Sequence, residues 1–347
     1  MQIRNKVYHS NLRQKEQNGF LPYFFGCKRI SACCLLQLTN AFGCATITDM
    51  KGIIVVNGYD GNESQRKKVN RMLQEFAALQ VAVSVIPNNE FIARIENSHI
   101  VTDVDCDFAL YFDKDKYVAE MLQRQGIRLF NSARATEICD DKMLTHLVLA
   151  GANVPMPDTI ACPLCYNQNA VITDQYANAL ISKLGLPLVV KQCYGGFGKQ
   201  VRLARTQSEL LQIANEWKTT AHLYQKFVEQ SCGRDMRVIV IGGKTVCGMI
   251  RRNDGDFRSN VELGGVGSGV AVPASIAETC EKAAKIIGLD YCGIDVLLGD
   301  EPQICEVNSN AMFNEIERVT GVNVARLYAE HIINETKIHT QNAKLKS

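Results

Sequence analysis

Short apolar strands alternate with helices between residues 53 and 131, and this order constrains the fold more strongly than any other feature. The segments with strand character are residues 53–57, 81–86, 108–112 and 128–131. The segments with helical periodicity between them are residues 63–79 and 116–125. Strands that alternate with helices form parallel sheets with helices on both faces. The sequence therefore predicts an α/β fold over residues 50–131. Because no GxGxxG motif follows the first strand, dinucleotide binding is disfavoured.

The second half of the chain has a different order, in which strands follow one another directly. Residues 237–241 and 245–251 flank Gly242-Gly243, and a glycine pair between two apolar strands is typical of a hairpin. We therefore expect a mostly antiparallel, α+β arrangement in this half. A helix over residues 324–333 is predicted as the last element, followed by a loose polar tail at residues 334–347.

Basic residues are concentrated at the start of the chain. Residues 1–49 contain six Lys or Arg and two acidic residues, so the remainder is slightly acidic although the whole chain has a net charge of +2. A nucleic-acid-binding surface is therefore not expected, and no long apolar run predicts a membrane span. Met50-Lys51-Gly52 precedes the first strand like the start of a domain. We expect residues 1–49 to be disordered or to lie upstream of the true start codon.

The fourteen cysteines are scattered along the chain, and several, such as Cys247 and Cys305, lie in strand-like segments. Buried free thiols in a reducing cytoplasm explain this distribution better than disulfides do, so we expect a cytoplasmic protein. Cys162 and Cys165 form a CxxC pair with no second pair nearby. A structural zinc site needs four ligands, so zinc is disfavoured.

A hairpin is predicted around Gly299-Asp300-Glu301-Pro302, a turn-type cluster between two β-rich segments. If these four residues close the hairpin, Leu298 faces Gln303. Counting back along both strands then places Asp295 directly opposite Glu306. Like charges that face each other across a strand pair are destabilising, so a positive group is expected between them.

Three hard oxygen donors meet on this hairpin. Side chains alternate along a strand, so Asn308 lies on the same face as Glu306. Two carboxylates and an amide oxygen suit Mg²⁺, which keeps its other positions for water and substrate phosphates. We therefore predict that Asp295, Glu306 and Asn308 bind magnesium. The alternative is a solvated hairpin whose acids face water.

A glycine-rich loop, Tyr194-Gly-Gly-Phe-Gly-Lys199, lies between two predicted strands. It fails the Walker A pattern because its lysine is followed by Gln200, but its backbone N–H groups can still cover phosphates. Lys191 ends the apolar strand before the loop, where burial without an anion is costly. Lys142 opens a helix after two aspartates. The alternatives are a plain hairpin turn, an edge-strand lysine that reaches solvent and a surface charge.

Several arginines surround a turn-rich loop. Arg251-Arg252 precede it, and Arg258-Ser259-Asn260 follow it. Guanidinium groups bind carboxylate and phosphate oxygens in pairs, so arginines near a magnesium site suit phosphoryl transfer. The alternative is a set of exposed loop arginines. No GxSxG motif and no Cys/His pair indicate nucleophilic hydrolase chemistry.

Taken together, these motifs resemble the ATP-grasp fold, and more closely the RimK-type α-L-glutamate ligases. The resemblance covers about residues 128–333. It is carried, in order, by Asp141-Lys142, Leu186-Pro-Leu-Val-Val-Lys191, Gly195-Gly-Phe-Gly198, Gln225-Lys-Phe-Val228, Gly233-Arg-Asp235-Met-Arg237, Arg251-Arg252, Gly255-Asp-Phe-Arg-Ser-Asn260, Gly264-Gly265, Gly293-Ile-Asp295, Glu306-Val-Asn308 and Ile316-Glu317-Arg-Val-Thr-Gly321. The Asp-Phe-Arg-Ser-Asn run combined with the Asp and Glu-x-Asn set is the specific part of this pattern.

The resemblance implies an architecture. Residues 50–131 would form a Rossmann-like pre-ATP-grasp domain, and residues 132–333 would form the ATP-grasp domain. That domain would contain a small subdomain at about residues 159–226 and a C-terminal subdomain at about residues 227–333. It also implies a homo-oligomer.

The resemblance further implies roles for individual residues. The glycine loop, including Gly195, Gly196 and Gly198, would cover ATP, whose phosphates Lys142 and Lys191 would hold. Adenine would meet the strand at Lys226, Phe227 and Val228, with Asp235 assisting nucleotide binding. The residues implied near the phosphates and reactants are Arg258, Ser259 and Asn260. Two Mg²⁺ ions, or Mn²⁺ in their place, would bind Asp295, Glu306 and Asn308. The implied catalytic cations are Arg237, Arg252 and Arg258.

The implied activity is ATP-dependent amide bond formation through an acyl phosphate, with L-glutamate added to a carboxylate-bearing acceptor. A ligase using another amine and a non-catalytic ATP-binding regulatory protein are the alternatives. The chain departs from the family pattern after Asn308, where Ser309-Asn310-Ala-Met-Phe313 replaces a Pro-Gly stretch. It also departs at Lys226, where an acidic residue is frequent, and at Lys199 in the glycine loop. These departures leave the choice of acceptor and amino acid open.

Overall fold

The computed structural model describes residues 50–59, 61–196 and 198–346. The expectation for residues 1–49 lies outside this part of the chain.

A four-stranded parallel sheet forms the N-terminal part, with strand order β2-β1-β5-β6. Its strands are β1 (Lys51–Val56), β2 (Ala82–Pro87), β5 (Phe108–Phe112) and β6 (Arg128–Phe130). A separate hairpin consists of β3 (Ala93–Glu96) and β4 (His99–Thr102). The helices are α1 (Glu63–Ala78) and α2 (Lys116–Arg124). The parallel pairing agrees with the strand–helix alternation; a Rossmann-like classification stays a prediction.

Alternating residues of this sheet enter two different cores. Ile54 and Leu110 pack in one cluster with Met72 of α1, whereas Val55 packs in the other with Leu122 of α2. Helices therefore cover both faces, because side chains of a strand alternate between its faces. The first cluster also contains residues of the C-terminal half, so the parallel sheet shares a core with it.

A four-stranded antiparallel sheet with order β7-β10-β8-β9 follows. Its strands are β7 (Thr159–Ala161), β8 (Leu188–Gln192), β9 (Val201–Ala204) and β10 (His222–Lys226). The helices α5 (Asp174–Leu184) and α6 (Gln207–Trp217) pack on it around a core that includes Leu180, Ile213 and Tyr224. The glycine loop joins β8 to β9, so it is a loop between antiparallel strands, as predicted.

A five-stranded antiparallel sheet with order β13-β12-β11-β14-β15 completes the fold. Its strands are β11 (Arg234–Ile241), β12 (Lys244–Arg252), β13 (Val266–Val270), β14 (Tyr291–Leu297) and β15 (Gln303–Asn308). Short 3₁₀ helices lie at Glu229–Ser231 and Val261–Leu263. The remaining helices are α3 (Ala133–Asp140), α4 (Lys142–Leu149), α7 (Ala274–Ile287), α8 (Asn314–Thr320) and α9 (Val324–Lys346).

One expectation for this half was wrong. The predicted loose tail is helical, because α9 continues through Lys346 and buries Thr336 completely. α3 ends at Asp140 and α4 begins at Lys142, the position where the sequence places the start of a helix. The Asp141 carboxylate accepts hydrogen bonds from the backbone N–H groups of Met143 and Leu144, and such a cap starts a new helix at Lys142. None of the helices in the described residues is long and apolar enough to span a membrane.

Candidate active site

A cavity lined by both antiparallel sheets gathers most of the predicted site residues. Those present in its wall are Lys142, Lys191, Gly196, Gly198, Lys226, Phe227, Val228, Asp235, Arg258, Ser259, Asn260, Asp295 and Glu306. The wall also contains apolar side chains from β8, β14 and the segment after β10, including Val189, Phe227 and Leu297. We call this the nucleotide-side cavity. It combines buried lysines at one part of its wall with an apolar surface at another.

A second cavity adjoins the first and is lined partly by residues of the N-terminal part. Gly195, Arg237 and Asn308 line this cavity, and Gly196, Asn260 and Glu306 line both. The further residues in its wall are Asn57, Asn62, Gln65, Phe112, Asp113, Lys114, Cys139, Asn310 and Met312. We call this the polar cavity. The two cavities share the glycine loop and the acidic strand β15.

Arg252 lies outside both cavities. Its side chain is 69% exposed and pairs with Asp254, whereas the side chain of Arg251 is 2% exposed and lines the nucleotide-side cavity. Both residues are on β12, where neighbouring side chains point to opposite faces. The strand therefore directs Arg251, rather than the predicted Arg252, towards the nucleotide-side cavity.

Asp295 of β14 pairs directly with Glu306 of β15, as the hairpin prediction required. Between the turn and this pair the predicted register was wrong, since Gln303 pairs with Leu297 rather than Leu298. The connecting loop is one residue longer than expected, and a β-bulge between the two pairs restores the count. The bulge places Cys305 between Ile304 and Glu306, and its side chain lines the nucleotide-side cavity.

The positive groups that face Asp295 come from the protein itself. Arg237 donates from Nε to Oδ1 and from Nη2 to Oδ2, each over 2.7 Å, and Arg251 Nη2 lies 2.8 Å from Oδ2. Burial raises the pKa of Asp295, but the charges of Arg237 and Arg251 outweigh it and lower that pKa to about 2. Arg251 also pairs with Asp235. Asp235 is thus a counter-ion of Arg251, and the two aspartates hold that guanidinium in place.

The two predicted phosphate lysines are both buried and both face the nucleotide-side cavity. Lys142 Nζ donates to the Gly195 carbonyl over 3.1 Å and lies 3.5 Å from Glu306 Oε1. Lys191 Nζ donates to the Cys305 thiol over 3.2 Å, and within the described residues no carboxylate pairs with it. A buried ammonium with a thiol as its acceptor is poorly compensated, so this position favours an anionic ligand.

Arg258 connects the loop after β12 to the glycine loop. Its Nη1 donates to the carbonyls of Gly198, over 2.6 Å, and Val201, over 3.4 Å, and its Nε and Nη2 donate to Asp256. Gly198 has φ of +71°, and a side chain there would place a Cβ 2.8 Å from Asn260 Oδ1. Glycine is therefore required at this position both for its backbone conformation and for the close approach of the two loops.

Glu306 and Asn308 on β15, together with Asp295 on β14, provide oxygen donors that suit magnesium shared with a substrate, although both Asp295 oxygens also accept hydrogen bonds from arginines. Within the described residues no group of three or more His, Cys, Asp or Glu could hold a metal ion, so the amide of Asn308 would have to be the third donor. Glu306 has a partly exposed side chain, and a lysine at 3.5 Å is its ion-pair partner. Two carboxylates and one amide leave positions for water and phosphate oxygens, which is the coordination that Mg²⁺ prefers.

His146, which the sequence pattern did not single out, contacts Gln225 in the wall of the nucleotide-side cavity. It lies on α4 one turn after Lys142, and its Nε2 is 3.2 Å from the Gln225 amide nitrogen. Burial, with a smaller contribution from the charge of Lys191, lowers the pKa of His146 to about 4. The i, i+4 spacing from Lys142 on a predicted helix is the signal that could have revealed it. A neutral imidazole behind two lysines avoids adding a third positive charge.

Comparison with known proteins agrees with this geometry. The RimK-like ATP-grasp domain model matches residues 139–332. Human beta-citrylglutamate synthase B is 35% identical over 223 residues, which are 63% of this chain and 56% of that protein. Human N-acetylaspartylglutamate synthase A is 34% identical over 226 residues, which are 64% of this chain and 56% of that protein. The chain thus spans little more than half the length of these relatives.

A solved structure has the same fold. The ATP-grasp ligase PsnB, in complex with a phosphomimetic variant of its minimal precursor, Mg and ADP, superposes with a TM-score of 0.61. The superposition covers 83% of this chain and 99% of PsnB, at 17% sequence identity. At this identity the likeness concerns the fold alone.

Proposed function

This chain belongs to the RimK-like ATP-grasp family, and on that premise we propose that it is an ATP-dependent carboxylate–amine ligase. It would activate a carboxylate-bearing acceptor as an acyl phosphate and join it to the amine of L-glutamate. The glutamate part of the proposal is supported by the names of the two human relatives, both of which are synthases of a glutamate conjugate.

Lys191 carries the proposal. Its side chain is 7% exposed, and the hydrogen-bond acceptor beside its ammonium is a thiol rather than a carboxylate. Lys142, which is 9% exposed, faces the same cavity. Two buried ammonium groups at one cavity repel each other unless an anion lies between or beside them, and a polyphosphate supplies the required charge. This arrangement supports ATP as the ligand.

The two cavities together support a role for every predicted residue except Arg252. The apolar surface of Val189, Phe227 and Leu297 would pack against adenine, and the backbone of residues 226–228 would provide its hydrogen bonds. Gly195, Gly196 and Gly198 would cover the phosphates, with Arg258, Ser259 and Asn260 beside them. Asp235 would act indirectly by holding Arg251.

In the proposed reaction, an oxygen of the acceptor carboxylate attacks the γ-phosphorus of ATP and ADP leaves. The glutamate amine then attacks the acyl carbon, phosphate leaves with the bonding electron pair, and the amine loses a proton. Arg237 would neutralise the charge that accumulates on the transferred group, since its Nη1 forms no hydrogen bond with any described residue. Arg258 would hold the glycine loop closed over the phosphates. In this proposal, Arg251 takes the role that the family resemblance implied for Arg252.

Magnesium bound by Glu306, Asn308 and Asp295 would supply charge neutralisation between the phosphates and the incoming carboxylate. The number of ions, the use of Mn²⁺, the cytoplasmic location and the homo-oligomeric state stay predictions.

Release of ADP tests the proposal. We expect release to require ATP, L-glutamate and a carboxylate acceptor together, in an assay with a panel of small acids and acidic peptides. Replacement of glutamate by other amines, D-alanine among them, tests the first alternative. ADP release with another amine, but not with glutamate, would indicate a ligase that uses that amine. ATP binding without ADP release under every combination would contradict the ligase proposal and favour a regulatory ATP-binding protein.

A further inference from the structure

Lys68 on α1 is a completely buried lysine that the proposed reaction does not use. Its exposed fraction is 0%, and its ammonium lies 3.9 Å from the centre of the Phe112 ring, with the rings of Tyr291 and Phe313 at 5.4 and 5.8 Å. Burial lowers its pKa to about 7, and no described carboxylate offsets that effect. A charge in this position is costly unless it serves a purpose that a neutral side chain cannot serve.

The polar partner of Lys68 is Asn310. Lys68 Nζ lies 2.5 Å from Asn310 Oδ1. Lys68 Nζ donates to this oxygen, so the Nδ2 group of the Asn310 amide points the other way. Asn310 lines the polar cavity, and its Nδ2 donates to no other described residue. The buried lysine therefore fixes a free amide donor in the cavity wall.

The polar cavity contains a second set of unused donors. Arg237 binds Asp295 through Nε and Nη2, which leaves Nη1 without a protein partner among the described residues. Two acids also line the cavity. Asp113 already accepts hydrogen bonds from Asn57 and Asn88, and Glu306 is the proposed metal ligand. The donors that stay available in this wall include Arg237 Nη1 and Asn310 Nδ2, which can both bind an anionic oxygen.

We propose that Asn310, oriented by Lys68, determines acceptor specificity by binding a second carboxylate of the acceptor, which is not the carboxylate that becomes phosphorylated. The acceptor is then a compact acid with at least two carboxylates rather than a polypeptide tail. This inference rests on the proposed ligase function, because it assumes that the polar cavity holds the acceptor.

The size and walls of the polar cavity favour such an acid. The cavity holds about 200 Å³ and is walled by α1, the segment after β5, the glycine loop and the segment after β15. This space is below the range of roughly 300–1,000 Å³ that is typical of sites for drug-sized ligands. In its protonated form, Lys68 behind Asn310 adds positive potential at that wall without occupying space in the cavity.

Direct binding of paired probes tests this inference without any need for turnover. N-acetyl-L-aspartate and N-acetyl-L-alanine differ by one carboxylate, and their affinities for the full-length protein can be compared by calorimetry with Mg²⁺ and a non-hydrolysable ATP analogue. Citrate serves as an additional polyacid. We expect the diacid to bind at least about tenfold more tightly than the monoacid, as expected for one charge-assisted contact of about 1.4 kcal/mol.

Two variants assign the preference to the Lys68–Asn310 pair. Asn310→Asp keeps the shape and pairs with Lys68, but it replaces the free amide donor with an anion. Lys68→Met removes the charge and keeps an apolar side chain among the aromatic rings. Both should abolish the preference for the diacid and leave the affinity for the nucleotide analogue unchanged. If the pair had a purely structural role, the two variants would instead lose affinity for both acids equally. Lys183→Met, at an exposed position of α5, is the matched control.

The outcomes separate the inference from the proposed function. If the diacid binds in a way that depends on Asn310, but no ADP is released in any assay, the subsite proposal is retained and the ligase proposal is contradicted. ADP release with acidic peptides alone, without binding of any small diacid, would retain the ligase and overturn the subsite. Equal affinity for both probes, no affinity for either, or an unchanged preference in both variants would also overturn it.

Discussion

Arg237 holds the carboxylate of Asp295 through two parallel hydrogen bonds of 2.7 Å each, across neighbouring strands of the five-stranded sheet. The carboxylate that was predicted as a metal ligand is therefore also the counter-ion of two guanidinium groups, because Arg251 binds it as well. Charge at this wall of the site is balanced within the protein before any ligand arrives. The balance makes Asp295 important for stability as well as for chemistry.

Asp295→Asn should destabilise the protein strongly. The substitution leaves Arg237 and Arg251 short of a buried counter-ion, which typically costs about 3–5 kcal/mol in the free energy of unfolding. Urea unfolding monitored by fluorescence measures the change. Glu306→Gln is the control, because Glu306 is more exposed and has an ion-pair partner at 3.5 Å; it should cost less than about 1 kcal/mol while ADP release is lost. Similar stability losses in the two variants would contradict this division of roles.

Arg251 and Arg252 should differ sharply although they are neighbours. Arg251→Met leaves Asp235 and Asp295 without a shared cation inside the sheet, so it should abolish ADP release and lower stability by several kcal/mol. Arg252→Met removes an exposed pair with Asp254 and should leave ADP release within about twofold of the wild-type rate. Steady-state kinetics of both variants provides the measurement. If Arg252→Met lost ADP release while Arg251→Met kept the wild-type rate, Arg252 would again be the candidate catalytic residue.

Lys191→Ala should weaken nucleotide binding. One charge-assisted contact to a phosphate is worth about 1.5–3 kcal/mol, so the Kd for ATP should rise by roughly ten- to a hundredfold. Calorimetric titration with a non-hydrolysable ATP analogue measures it. Lys183→Ala, at an exposed helix position, should leave the Kd unchanged. An unaltered Kd in Lys191→Ala would remove the residue from the phosphate site.

His146 should make folding stability depend on pH. Its pKa is about 4 in the folded protein and 6.5 as the ordinary value, so the unfolded chain binds the proton more readily. The stabilisation is complete above about pH 6.5 and is lost as the pH falls towards about 4, by about 3 kcal/mol in total. His146→Gln stays neutral throughout, so urea unfolding should show a flatter decline between about pH 7 and pH 4.5. Parallel curves for the two proteins would argue against a buried neutral histidine.

Local sequence patterns were sufficient where neighbouring residues define a structure. The glycine loop between two strands and the pairing of Asp295 with Glu306 were both predicted, because turn residues and strand alternation act over a few positions. The same counting failed at Leu298, since a bulge changes the register by one residue and leaves no local signal. The family was likewise identifiable from motifs in a specific order.

The sequence alone determined the family, the strand–helix order and the candidate residues for a nucleotide and a metal. Only the tertiary structure decided which of two adjacent arginines enters the site, because the direction of a strand's side chains depends on its position in the sheet. It also decided the pairing of Lys68 with Asn310, which are 242 positions apart. A buried charge and its partner at such a separation meet only when the parallel sheet and the last antiparallel strand pack around one core, and no local pattern carries that information.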